Sequence, residues 1–448
     1  MVQRSILACV LLVTAVGIGR NSVDAASDAD SLLYTAAKSY DPLAWMHGGE
    51  RFPAGATIVV SAEKGKHPLL AEFADSADPS LSFDGKRVLF AGKKKSGGHW
   101  QIWEIPIAGG EAKRFSSGED DCIRPFYLPD DRIVYARKRG GRFVIEAVDL
   151  SGGKPLALTY GPASFLPNDV LRDGRVLFES GFPLGSDAKP ELYTVYPDGS
   201  GVESYRCDHN DTHHAGRQVG SGDIVFASRT GLRRFTSARA QEVLIPAPKG
   251  EYAGDVAELP SGEWLAPWRL DASVPFRLVS WGVDSTTMRP VLSEDGVNLL
   301  QPVVLRERVA AKRFPSALHD WNNGNLLCLN TYTSKYSFSP GSVQQVRFYA
   351  RDSSGNARLL GTAPVEHDGS FFVQVPTEQA IQMELLDSTG KTLKRESGYF
   401  WMRRGEQRVC VGCHSGPETA PENAVPAILL KSTTPADMTG AQNASGGQ

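Results

Sequence analysis

Cys410, Val411, Gly412, Cys413 and His414 are the residues of this chain whose types and spacing spell out a complete chemistry. Two thiols held three positions apart can add to the two vinyl groups on one edge of a porphyrin. The histidine that follows then swings its imidazole under the iron. Gly412 permits the tight turn that this geometry requires. The competing reading of a Cys-x-x-Cys pair, a thioredoxin-like redox motif, needs βαβ surroundings that this stretch lacks. The residues therefore predict one covalently attached haem c, with His414 as an axial ligand to iron. The second axial ligand decides what such a haem does, because a filled position makes an electron carrier and an open one allows small-molecule chemistry. Met402, His367, His319 and Met438 are the nearby candidates, and each has an ordinary alternative in packing or in a turn.

A second cluster, Cys207, His209, Asp211, His213 and His214, packs sulfur, nitrogen and oxygen donors into eight residues. Such donors suit zinc or copper. The spacing matches no familiar zinc finger, and a polar loop with solvated histidines would read the same way.

The elements that must position these residues are strands. A small turn followed by a β-rich triplet recurs at Asp84-Gly85-Lys86-Arg87-Val88-Leu89-Phe90, at Asp130 to Tyr135, at Asp173 to Phe178 and at Ser221 to Phe226, with a weaker copy at Ser261 to Leu265. The copies are spaced about 40 to 48 residues apart, the period of a four-stranded propeller blade. Gly55 to Val60 offers a degenerate first copy and Phe276 to Ser280 an inner strand of a last one. Residues 40–305 are thus expected to form roughly six blades. The rhythm breaks at a basic, Pro-containing linker, Arg306 to Pro315. Strands at Val343 to Ala350, Phe371 to Val375 and Met383 to Leu386, separated by Gly and Asp turns, then predict a small β-sandwich-like domain over 315–431. Residues 432–448 have almost no large apolar side chains and are expected to be disordered. The fold class predicted is all-β, a six-bladed propeller followed by a sandwich-like domain that carries the haem.

The 448 residues, with 45 Gly and 28 Pro, exceed what one core usually holds. Arg4, the apolar run Ser5 to Gly19 and the small residues Val23-Asp24-Ala25 read as an export signal over 1–25, which places the mature chain in the periplasm or outside the cell. No later stretch is apolar enough to predict a membrane span. A formal net charge of -3 supplies no field that would attract nucleic acid. Beyond the motif and Cys9 in the export signal, Cys122, Cys207 and Cys328 remain; three thiols cannot all pair, so a disulfide scaffold is excluded and at least one is a buried thiol or a ligand.

The Asp-Gly-Lys-Arg-Val-Leu-Phe blades resemble TolB-like propellers. Pro340-Gly341-Ser342-Val343, then Ala363-Pro364-Val365-Glu366-His367-Asp368-Gly369-Ser370-Phe371, and Tyr399-Phe400-Trp401-Met402-Arg403-Arg404-Gly405-Glu406 leading into Cys410 to His414, resemble the middle domain of hydrazine synthase alpha subunits. The resemblance implies an exported haem protein in which a propeller packs against a haem-bearing β-rich domain. It also implies an active-site haem whose iron is bound by a tyrosine shortly after the motif while the motif histidine turns toward zinc, and a second haem in a further domain. This sequence departs from that pattern, since Ser415-Gly416-Pro417-Glu418 follows His414 with no tyrosine and only one Cys-x-x-Cys-His is present.

The function expected from these residues is an exported monohaem c-type cytochrome, engaged in electron transfer or serving as the haem subunit of a periplasmic redox complex. Its partners would be a redox protein or other subunits. One alternative is a haem enzyme with an open iron facing the propeller channel and acting on a small nitrogen or oxygen compound. Another is a propeller-based protein-binding module.

Overall fold

The apolar triplets that follow each turn are continuous rather than alternating because both faces of their strands are covered. In a computed structural model of the protein, Val88, Leu89, Phe90, Ile133, Val134, Tyr135, Val176, Leu177, Phe178, Ile224, Val225 and Phe226 are all fully buried. Each triplet lies in the second strand of a four-stranded antiparallel sheet and packs between neighbouring sheets. The structure describes residues 31–440 apart from 64, 183–188, 206–210, 238–241, 335, 397 and 413–422.

Six sheets make the ring. The second to fifth blades each take their strands in chain order, beginning at Asp75–Leu81, Cys122–Tyr127, Phe165–Val170 and His214–Gln218. The sixth pairs two short segments, Glu251–Tyr252 and Ala257–Glu258, with Trp264–Arg269. The first blade closes the ring, since its strands Leu32–Ala37, Thr57–Ala62 and Gly65–Pro68 are joined on the inside by Asn298–Val304, with Leu33 opposite Val303. The ring therefore starts at Leu32, before the position near 40 expected from the repeat. Arg277–Trp281, expected as an inner strand, is instead flanked on both sides within the last blade.

Bulges kink the innermost strands and turn polar side chains onto the axis. Asp78, Arg124, Asp255 and Gln301 adopt positive φ there. Arg124 bonds both oxygens of Asp255 at 3.0 Å, while its backbone N–H donates to Asp78 Oδ2 at 3.0 Å. Arg51 closes on Asp78 at 2.5 Å, Gln301 donates to Asp78 Oδ1 at 2.5 Å, and Arg217 reaches Asp255 at 3.0 Å. Burial would raise the pKa of both carboxyls; Arg51 and Arg124 at Asp78, and Arg124 and Arg217 at Asp255, overcome it and hold both well below the ordinary value. The axis is thus filled. Tyr40 and Arg51, from the insertion between the first two strands, cover one mouth, and the segment after Val304 crosses the other.

Two further four-stranded sheets follow. One orders Gln407–Cys410, Gly324–Cys328, Phe371–Val375 and Ala436–Asp437; the other orders Ala357–Pro364, Gln345–Arg351, Ala380–Leu386 and Thr392–Arg395. Leu326, Phe348, Phe371, Val373, Ile381 and Met402 fill the space between them, which makes the expected sandwich. The expectation that order ends at Ser432 is corrected. Ala436 and Asp437 pair in parallel with Val373 and Gln374, and Met438 is buried in the sandwich core. One docked methionine and two backbone pairs suffice to hold a segment of otherwise polar composition. Residues 441–448 lie outside the described residues.

The axial carboxylates make the acid side of stability testable. A carboxyl whose folded pKa is depressed contributes fully above its unfolded pKa, about 3.9, and loses that contribution as pH falls through the folded value. Replacing Asp255 also leaves Arg124 buried without its main partner, a loss on the order of 3–5 kcal/mol. Asp255→Asn should therefore be destabilised at neutral pH in denaturant titrations, with the gap to the parent shrinking below about pH 4. A gap that does not change with pH would contradict this assignment.

Candidate functional site

The residues of the Cys-x-x-Cys-His motif begin on the edge strand of the sandwich. Gln407–Cys410 runs parallel to Gly324–Cys328, with Cys410 in register with Cys328, and the carbonyl of Cys410 accepts the N–H of Leu329 at 2.9 Å. The chain then turns past the loop at Asn330–Thr333. A Cβ on Gly412 would lie 2.1 Å from the carbonyl oxygen of Thr333 and 2.8 Å from that of Asn330, so only glycine fits. The requirement is steric rather than the conformational one read from sequence, since Gly412 is not among the residues with positive φ. Cys413 and His414 lie outside the described residues.

The loop under Gly412 is itself fastened. Thr331 N–H donates to Gly369 O at 2.9 Å, Tyr332 N–H to Asn330 Oδ1 at 2.8 Å, and Tyr332 OH to Val343 O at 3.2 Å. Asp368 and Ser370, in the turn behind it, accept the first N–H groups of the short helix Ala427–Lys431 at 2.6 and 3.0 Å. Gly412 and the start of the helix Ala427–Lys431 therefore lie at the same end of the sandwich.

The four candidates for the second axial ligand separate clearly. Met402 is fully buried and Met438 nearly so, both within the sandwich core, which assigns them to packing. His319 is exposed and stacks on Trp321 at 4.7 Å. His367 is exposed on the turn that supports the Asn330 loop.

The second cluster is brought together only in part. His213 and His214 are adjacent in an extended segment and point opposite ways. His213 lies against Phe226 and Phe235 with Nε2 2.9 Å from Glu242, whereas His214 places Nδ1 2.8 Å from Glu179 and buries an Nε2 that has no hydrogen-bond partner. Strand alternation, which the tight spacing in sequence concealed, separates them. Cys207 and His209 lie outside the described residues, Asp211 caps its own loop through Thr212, and among the described residues no three metal-donor side chains converge. Of the remaining thiols, Cys122 is buried in the propeller, which pushes its pKa up to about 12 and makes it unreactive.

What sequence reasoning missed is how the motif is tied to the propeller. From Phe400 to Arg408 the chain runs between the two domains. Phe400 exchanges backbone bonds with Ile381 of the sandwich, and Met402 points into the sandwich core. Trp401 points the other way, packing against Phe165, Tyr160 and Phe178 of the propeller with ring centroids 5.6, 6.2 and 6.4 Å away. Arg403 bridges Tyr160 of the propeller and Glu378 of the sandwich, and Glu406 accepts the N–H of Gly201 at 3.1 Å. The signal was in the sequence as an unusually dense run of large and charged residues just ahead of the motif.

Fold and motif together define a class: a closed six-bladed propeller clamped to a β-sandwich whose edge strand leads into a Cys-x-x-Cys-His sequence. Residues 330–415 match the family described as hydrazine synthase alpha subunit middle domain, so this part of the chain is hydrazine synthase alpha-like. A 77-residue segment is 36% identical to hydrazine synthase subunit alpha of Kuenenia stuttgartiensis; it covers 17% of this chain and 10% of that protein. The solved Kuenenia stuttgartiensis hydrazine synthase superposes over 90% of this chain and 71% of its own with a TM-score of 0.75 at 17% identity, a likeness of fold. TolB from Acinetobacter baumannii aligns with 61% of this chain and 66% of its own, at 14% identity and a TM-score of 0.47. The reading as an electron-transfer cytochrome is corrected by these findings, because the segment bearing the motif is similar to the middle domain of a synthase alpha subunit. No helix among the described residues is long and apolar enough to cross a membrane.

The fit of Gly412 is testable by adding one methyl group. Gly412→Ala must displace Asn330 and Thr333, with a cost of about 1–3 kcal/mol. Gly282→Ala, whose Cβ would meet nothing closer than 3.8 Å, is the control. The expected outcome is a lower melting temperature for the first variant alone. Equal behaviour of the two would contradict the geometry.

Proposed function

We propose that the protein is a haem-bearing subunit of an exported, multi-subunit enzyme that acts on a small nitrogen compound. One observation carries this reading: the segment 330–415, which contains Cys410, Cys413 and His414, matches the hydrazine synthase alpha subunit middle domain. The donor set and the obligatory glycine between the two cysteines suit a covalent haem c, with thioether links at Cys410 and Cys413 and His414 toward iron. When bound, the haem supplies a redox-active iron.

The chain's own residues contribute position and surroundings. The register of Cys410 against Cys328 and the fastened Asn330 loop hold the first attachment point in place. Trp401, Arg403 and Glu406 keep the sandwich fixed to the propeller, so the site presents itself at a set angle to any neighbouring subunit. Burial of Met402 and Met438 removes both thioether candidates for the second axial position, which favours a site where a small molecule can reach iron. The channel-facing form of this reading is set aside, because the propeller axis is filled by the Asp78–Arg124–Asp255 network. Absence of a tyrosine after His414 argues for iron coordination unlike that implied by the family resemblance, and hydrazine formation itself is left outside the proposal.

The test is expression with a haem c maturation system, followed by turnover of hydroxylamine or nitric oxide with a low-potential electron donor. The parent should carry one covalent haem and consume the nitrogen compound, whereas Cys410→Ser should lose most of the covalent haem and at least tenfold in rate. A parent that binds haem but consumes neither compound faster than Cys410→Ser would sink the proposal.

A further inference from the structure

The basic linker after the propeller is a strap across one mouth of the ring. Arg308 N–H donates to Phe83 O at 2.9 Å, Lys312 N–H to Arg172 O at 2.9 Å, and Phe314 stacks on Tyr196 at 3.8 Å. Gly174, in the fourth blade's turn, has φ 92°, and a Cβ there would stand 2.3 Å from Lys312 O, so strap and turn are in intimate contact. Between strap and ring lies a cavity of about 710 Å³.

Five cations line it: Arg172, Arg217, Arg306, Arg308 and Lys312. Three carboxylates, Asp169, Glu258 and Glu307, oppose them. Of the five cations only Arg217 makes an ion pair among the described residues, and its Nε is committed to Asp255. The other arginines are steered by backbone carbonyls instead: Arg172 by Val219 and Gly220, Arg306 by Glu258, and Arg308 by Leu81. Arg308 is the most confined. Its guanidinium lies over the Phe83 ring at 4.8 Å, and its Nε is sealed from solvent with no hydrogen-bond partner. Burial lowers its pKa; Asp169 opposes that shift and Arg217 adds to it. A buried guanidinium with a vacant donor and a like charge nearby costs stability unless an anion completes it.

We infer that this cavity binds a small multivalent oxyanion, held by Arg308 from the strap with Arg306, Lys312 and Arg172 around it. Planar guanidinium forks pair bidentately with the oxygens of such an anion, and carbonyl-tethered arginines are already oriented to do so. The anion would also pin the strap to the ring, and so couple its occupancy to the stability of the strap.

The experiment is calorimetric titration of inorganic phosphate, and separately sulfate, into the full-length protein at constant ionic strength set with chloride. Saturable binding is expected, with a rise in melting temperature. Arg308→Gln should weaken binding at least tenfold. Arg306→Gln and Lys312→Gln, both exposed on the strap, should weaken it severalfold, while Arg404→Gln beside Glu378 leaves it unchanged. If Arg308→Gln does not fold, the two exposed variants carry the test, and full affinity in both would overturn the inference. Equal effects of phosphate and chloride, or an unchanged affinity in Arg308→Gln, would likewise overturn it.

Discussion

Alternation of side chains along one extended segment joins the two halves of this protein. In a strand, successive side chains leave on opposite sides, and between Phe400 and Arg403 that rule sends Trp401 into the propeller and Met402 into the sandwich. Neither domain can shift without exposing one of two fully buried large side chains. Arg403 and Glu406 then bridge what the two anchors have brought together. The same segment runs directly into Gln407–Cys410, so the position of the first thiol of the Cys-x-x-Cys-His motif follows from the clamp.

The propeller is a platform rather than a conduit. Kinks in the inner strands place Asp78, Arg124, Asp255 and Gln301 on the axis, where they satisfy one another. Opposing charges that close make a buried network stable only when every member is paired, and here the partners come from different blades, which ties the ring across its centre. With both mouths covered, the surfaces left for function are the ends of the sandwich, the clamp between the domains and the strapped face of the ring.

Much of this was legible in the sequence for physical reasons. A triplet such as Val88-Leu89-Phe90 is apolar without alternation because sheets cover both its faces, and its recurrence after an Asp-Gly turn exposes the blade period. The sandwich was equally visible in its alternating strands, and Gly412 in the demands of the motif. Other features were not legible. Pairing of Leu32–Ala37 with Asn298–Val304 is a contact between the two ends of the ring, and no local pattern encodes it. The axial network depends on bulges, where one residue out of step re-aims a side chain. His213 and His214 looked like neighbours in a metal cluster, yet adjacency in a strand is what drives them apart. Met438 shows that a polar tail can dock through one residue whose composition says little. Function was misjudged for a related reason, since a haem motif names a cofactor while the protein around it decides what the haem does.

Haem attached at Cys410 and Cys413, as proposed, would have neither buried methionine, Met402 nor Met438, at its second axial position. The most direct measurement is the ultraviolet-visible spectrum of the haem-matured protein, oxidised and reduced, with and without carbon monoxide. A high-spin spectrum whose reduced bands shift on addition of carbon monoxide is the expected result. Low-spin bands that carbon monoxide leaves unmoved would show a filled sixth position and contradict the account.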